Sequence, residues 1–214
     1  MSDIIIPWRI TFCKCWTGRF LSHIDTMRAW SRALRRTGMP IYYTRGFNPK
    51  PKMSYLTPPM SVGQTSECET LDFRMEMEIM PERLFEELEG KAPSGSVFLG
   101  AMPSPPKFPA ITRMDYLLLL QDENCPMPDV DQSFLVAGAD SGFLSDPEPA
   151  TMDHVRAHKL TFSKTHHPAQ FFDRAFRVSF RIDPLGGSPV KAFSQYLDSF
   201  GIIHHLHRLS FHGE

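Results

Sequence analysis

The apolar positions of this chain change period several times, and each change predicts an element. Between Cys68 and Ile79 the alternation is strict. Leu71, Phe73, Met75, Met77 and Ile79 fall on one face and Asp72, Arg74, Glu76 and Glu78 on the other, which predicts a half-buried strand. WRITFCKCW (Trp8–Trp16) is aromatic, β-branched and roughly alternating, a first strand that Gly18 ends. The period then becomes helical. At 100° per residue Met27, Trp30, Ala33 and Leu34 share one side, while Arg28, Arg32, Arg35 and Arg36 form a stripe on the other. Ser22 opens this helix with Asp25 as its capping-box partner, Gly38 closes it, and Pro40 prevents continuation. PIYYTRGF predicts a second strand broken near Gly46. PERLFEELEG predicts a helix opened by Pro81, with Leu84, Phe85 and Leu88 on its apolar face. SVFLGAM (Ser96–Met102) predicts a further strand. The resulting order, β-α-β-β-α-β, is that of the ferredoxin-like split unit.

PSPPKFP (Pro103–Pro109) reads as a proline-rich linker. Residues 1–102 are therefore expected to form one lobe, 103–110 the linker, and 111–214 a second, divergent α+β lobe. TRMDYLLLL starts that lobe, in which AFRVSFRI (Ala175–Ile182) and IIHHLHRLSFH predict strands. Ser188 as N-cap and Pro189 at the first position predict a helix ending at Gly201. Residues 122–152 are acidic and dotted with proline, around an apolar SFLVAG patch. The expectation is an α+β protein of two ferredoxin-like lobes, the second degraded.

Of the 214 residues, 42% are hydrophobic and 22% charged, in the globular range. No apolar run approaches the roughly 20 residues of a membrane span, so no membrane association is expected. The N-terminus has neither a basic n-region nor a long apolar h-region, which makes the cytoplasm the expected compartment. Net charge is −1 but unevenly spread. Residues 1–52 hold ten Lys and Arg against two acids, a balance of +8 that leaves −9 for the rest. Such asymmetry points to an anionic partner, or to neutralisation within the fold. Four cysteines do not make a disulfide framework. Cys13 and Cys15, two apart on a strand, read as small buried hydrophobes.

Motifs for phosphate loops, dinucleotide binding, nucleophile elbows and zinc peptidases are absent. His154 and His158 are spaced i, i+4, and His166 and His167 follow, but a zinc site needs a third ligand, and solvated histidines are expected. His205 and His207 share a face of the last strand. Neither a metal nor a cofactor is expected. His23 differs: it stands at the first helical position beside Ser22, on the side of Met27 and Leu34. A helix N-terminus disfavours imidazolium, so a neutral His23 is a candidate base, set against a histidine satisfied at the edge of the core.

The stretch RGFNPKPKMSY (Arg45–Tyr55) brings the remaining chemistry together. Pro49 and Pro51 stiffen an extended segment that carries Lys50 and Lys52 on one face. Pre-stiffened lysines lose less entropy on gripping an anion. Arg45, Phe47 and Asn48 add a guanidinium, a stacking ring and an amide, a combination suited to single-stranded nucleic acid.

The run Arg19–Phe73 resembles the radical-SAM-linked domain of unknown function, a bacterial family found alone or fused behind a radical S-adenosylmethionine protein. The matching positions are Phe20, Ser22, His23, Asp25 and Arg28, then Ala33, Leu34, Arg35, Arg36, Gly38 and Pro40, then Gly46, Phe47, Asn48, Pro49, Pro51, Lys52 and Gly63. The resemblance implies no established activity. It implies a radical SAM protein, encoded nearby, as partner. The chain lacks a C-x-x-x-C-x-x-C cluster motif and is not that enzyme. By analogy alone, the expected fold also resembles the RNA-binding modules of CRISPR repeat-processing endonucleases. The leading expectation is an accessory module that binds RNA of the tRNA or rRNA class for the radical SAM enzyme. Arg28, Arg32, Arg36, Arg45, Phe47, Asn48, Lys50 and Lys52 would touch the RNA, while Ser22, Asp25, Gly46, Pro49 and Pro51 shape the motif. One alternative is a module that docks the partner protein without RNA. Another is a metal-independent ribonuclease-like enzyme using His23.

Overall fold

A computed structural model describes residues 5–15, 17–105, 110–121, 142–143, 148–150, 172, 174–182, 189–199 and 204–213. The elements are β1 (Ile6–Lys14), α1 (His23–Arg36), β2 (Met53–Tyr55), β3 (Thr65–Met75), α2 (Pro81–Glu89), β4 (Ser96–Pro103), β5 (Ile111–Leu120), β6 (Gly142–Phe143), β7 (Glu148–Ala150), β8 (Arg174–Arg181), α3 (Pro189–Ser199) and β9 (His204–Gly213). The chain divides into two units. One comprises residues 1–62 and 68–108, the other 63–67 and 109–214.

The hydrogen-bonded strand order is β4-β1-β3-β9-β5-β8-β6, with β2 on β3 and β7 on β8. This corrects the expectation of two ferredoxin-like lobes: among the described residues the strands belong to one mixed nine-stranded sheet. The physical reason lies in β3. Its alternation shows which face is buried but carries no information about the neighbouring strand. Its first residues, Thr65 and Ser66, pair in parallel with His207 and Arg208 of β9. Beyond the linker, β5 lies between β8 and β9, antiparallel to both, and the described residues contain one helix rather than two. β1 has β4 and β3 as its neighbours.

In the first unit α1 lays Trp30, Ala33 and Leu34 onto Phe12, Leu71, Phe73 and Met75. Trp30 is fully buried and its ring centroid lies 4.7 Å from that of Phe12. The turn that launches α1 is fixed by a backbone contact. A Cβ on Gly18 would stand 2.2 Å from the Gly95 carbonyl oxygen, so no other residue fits there without a shift. Two of the basic residues are consumed by the fold. Arg9 grips Asp72 through two bonds of 2.8 and 3.0 Å, and the buried Lys14 Nζ donates to the Leu21 carbonyl at 2.9 Å. Neutralisation within the fold thus accounts for part of the charge asymmetry.

Two further expectations are corrected. PIYYTRGF is not a strand: only Ile41 and Tyr43 make isolated bridges, to Met75 and Pro51. The chain between them turns back on itself because Gly46 adopts φ 138°, a backbone that side chains rarely tolerate. Met77 is 57% exposed rather than inward, because β3 ends at Met75 and the chain bends away.

In the second unit Tyr116 to Leu120 of β5 are fully buried, packed with Val178 and Phe180 of β8, and α3 contributes Val190, Phe193 and Leu197 to the buried set. His205 and His207 are buried on one face of β9. Both lie 2.8 Å from the hydroxyl of Thr65. That hydroxyl has one proton, so one imidazole accepts it and the other donates to the oxygen. No helix among the described residues is long and apolar enough to cross a membrane.

Candidate functional site

The first unit carries its outward chemistry on α1 and on the loop that follows. The helix start is built as the sequence predicts. Ser22 is the N-cap, and its Oγ accepts from the Asp25 backbone N–H at 3.1 Å while donating to the Asp25 carboxylate at 2.7 Å. The Ser22 hydroxyl, helped by Arg28, holds the Asp25 carboxyl below its ordinary range. Asp25 therefore serves as a capping anion at the positive end of the helix.

The segment from Tyr43 to Pro51 is a closed loop. The Thr44 N–H donates to the Lys50 carbonyl at 2.8 Å, the Lys50 N–H to the Thr44 hydroxyl at 3.1 Å, and the Lys52 N–H to the Tyr42 carbonyl at 2.9 Å. Pro51 is buried at its base. Arg35 braces the loop from the helix. Its guanidinium donates to the Pro49 carbonyl at 2.8 Å and lies over the Tyr43 ring at 5.8 Å. Phe47 stands at the tip, fully exposed.

Helix and loop enclose a groove of about 360 Å³ lined by Met27, Arg28, Ser31, Arg32 and Arg35 on one side and Lys50, Pro51 and Met53 on the other. Four of these eight residues are cations and none is an acid. The Arg32 and Lys50 side chains make no hydrogen bond or ion pair among the described residues. Of the residues singled out from the sequence, the fold thus brings Arg28, Arg32 and Lys50 together. Arg45, Phe47 and Asn48 are exposed in the loop, and Lys52 is exposed beyond it. Arg36 does not line the groove, and its guanidinium donates to the Lys91 carbonyl at 3.0 Å. His23 does not line it either. Half-buried, it packs edge-on to Tyr55 with ring centroids 4.7 Å apart. Sequence reasoning did not place Met27, Ser31, Arg35 or Met53 in a site. Arg35 was visible in the guanidinium stripe, but its bracing role depends on a loop carbonyl 14 residues away.

Among the described residues no three His, Cys, Asp or Glu side chains are grouped to hold a metal ion. His154, His158, His166 and His167 lie outside the described residues.

The pattern of one bacterial family, described as an uncharacterized protein conserved in bacteria (DUF2344), matches residues 8–140. The chain belongs to this family. The match covers all of α1, the loop and the groove, so the DUF2344 region contains the whole candidate site. No curated protein matches the chain. Among solved structures, one described as an unknown protein from Galdieria sulphuraria is similar at 12% identity, covering 97% of this chain and 100% of its own, with a TM-score of 0.28. A score that low carries no argument about fold or function.

Proposed function

We propose that this DUF2344 protein binds RNA through the α1 groove. The observation that carries the reading is the single sign of the lining: Arg28, Arg32, Arg35 and Lys50 with no carboxylate among them, beside an exposed Phe47. Cations held on a helix and a stiff loop suit a run of phosphates, and an exposed ring beside them suits an unstacked base. We further propose that the protein acts as an accessory to a radical SAM enzyme, a partnership that rests on the resemblance of Arg19–Phe73.

Fluorescence anisotropy with tRNA and with single-stranded RNA, titrated across salt, tests the reading. Affinity for single strands should fall with salt by a slope of about −0.7 per phosphate contact. The double variant Arg32→Glu, Lys50→Glu should bind at least about tenfold more weakly and with a shallower slope. Absence of binding at low salt would sink the proposal. A second reading, a surface that docks the partner protein, is supported by the exposure of Phe20, Ile24 and Phe47. Co-purification of the radical SAM protein with that double variant, in the absence of any RNA affinity, would favour it.

A further inference from the structure

The α1 groove and a cavity of the second unit answer their charge differently. The cavity, about 330 Å³, is lined from β3, β5, β7, β8 and β9 and holds both signs of charge. At its centre one Asp115 carboxylate oxygen accepts from Arg113 Nε at 2.8 Å and from Ser179 Oγ at 2.7 Å, the other from Ser210 Oγ at 2.9 Å and from His212 Nε2 at 3.0 Å. These groups serve one another. Two cations of the groove are engaged as well: Arg35 donates to the Pro49 carbonyl at 2.8 Å, and Arg28 stands 3.5 Å from Asp25. The Arg32 and Lys50 side chains, one on the helix side and one on the loop side, have no such partner among the described residues.

The groove is graded in depth. Arg28, Arg32, Arg35 and Lys50 are exposed at its rim, whereas Met27, Ser31 and Met53 are half-buried and Pro51 is buried. The floor is therefore apolar except for one hydroxyl. It is also held from below. Met53 lies on β2, opposite Phe73 of β3, and packs against the core cluster that contains Trp30. Met27 stands one turn before Trp30 on α1. A track built for phosphates alone would carry cations on its floor. Here the floor offers nothing to an anion, and the charge stands at the mouth.

Given the RNA reading, on which this rests, we infer that the groove seats one unpaired base of a single strand on Met27, Pro51 and Met53, while the flanking phosphates meet Arg32 and Lys50 at the rim. Charge complementarity selects an anion, and the apolar floor selects one that carries a flat ring to bury. The volume, about 360 Å³, falls at the lower end of the range for small-molecule sites, about 300–1,000 Å³, which excludes a duplex. A paired base could enter only by giving up its pairing and stacking. Thioether side chains accept rings of differing shape, because their contacts with aromatics are soft and adaptable. The site therefore reads single-strandedness rather than sequence.

Fluorescence anisotropy of the full chain with two labelled strands of equal length, oligouridylate and an abasic ribose–phosphate strand, tests the seat. Both carry the same phosphates, and only the first carries bases. Oligouridylate should bind at least about tenfold more tightly, in keeping with the contribution of one held base. Ser31→Leu fills the floor without removing a cation. It should weaken oligouridylate by about tenfold and leave the abasic strand unchanged, with an unchanged circular dichroism spectrum. If that variant fails to fold, Met27→Gln, which makes the floor polar at nearly constant volume, takes its place with the same expectation. Equal affinity for the two strands, with the same salt dependence, would leave the RNA reading intact and overturn the seat. A preference for oligouridylate that survives the floor variant would also overturn it, by placing the base elsewhere, as on the exposed Phe47. Binding of neither strand at low salt would remove the RNA reading and the seat with it.

Discussion

The groove of the first unit and the cavity of the second are similar in volume and built from opposite principles. In the groove, charge of one sign is mounted on a helix and a braced loop with no acid in the lining, and of its cations Arg28 pairs with Asp25 at 3.5 Å. The apolar face of α1 is anchored by Trp30, Ala33 and Leu34, so Arg28, Arg32 and Arg35 are displayed on a helix whose opposite face is buried. In the cavity, most charge is already answered from within. Asp115 gathers four donors, and only Glu148 and Arg177 remain unpaired among the described residues. A one-signed surface suits a polymer of the other sign, whereas in the cavity most charge is matched by the protein's own groups.

The largest test removes the support of the groove. Trp30→Ala should cost about 3–5 kcal/mol in urea denaturation, the range for truncating a buried tryptophan. A loss under about 1 kcal/mol would mean that α1 is not held by its core face. Next, Asp115→Asn should cost about 1–3 kcal/mol by leaving charged donors poorly matched, without changing RNA affinity. Its pH dependence sharpens the comparison. Burial pushes the Asp115 carboxyl up, but the hydrogen bonds from Ser179, Arg113, Ser210 and His212 outweigh it, so the folded-state pKa lies below 3.8. A depressed carboxylate stabilises the fold above its unfolded value, and that contribution is lost as the pH falls through the folded one. Between about pH 5 and pH 3 the native chain should therefore lose more stability than Asp115→Asn. Equal losses would remove Asp115 from its central place.

A smaller effect separates binding from folding. Phe47→Ala should weaken RNA binding by about 1–3 kcal/mol, the contribution of one stacked base. Its unfolding free energy should stay within about 0.5 kcal/mol of the native chain, since the ring touches solvent alone. Unchanged RNA affinity would restrict the site to the groove. The smallest effect comes from Ser22→Ala, which removes the cap of α1 and should cost about 1 kcal/mol in stability.

The sequence by itself determined the local structure. The start and polar stripe of α1, the buried face of β3, and the strand at β8 could be read from periods and caps, because those signals involve residues a few positions apart. The cations of the groove were legible for the same reason: Arg28, Arg32 and Lys50 stand within or next to a patterned element. The tertiary structure decided everything that depends on distant pairing. Thr65 and Ser66 meet β9 across more than half of the chain, and no alternation at either place encodes the other. With that pairing the strands form one mixed sheet in place of two ferredoxin-like ones. PIYYTRGF was misread as a strand because its composition is strand-like, while its conformation is set by Gly46 and by the reach of Arg35. The cavity of the second unit left no trace in the sequence. Its lining comes from five strands, and single polar residues on separate strands become a site only when hydrogen bonding brings those strands side by side.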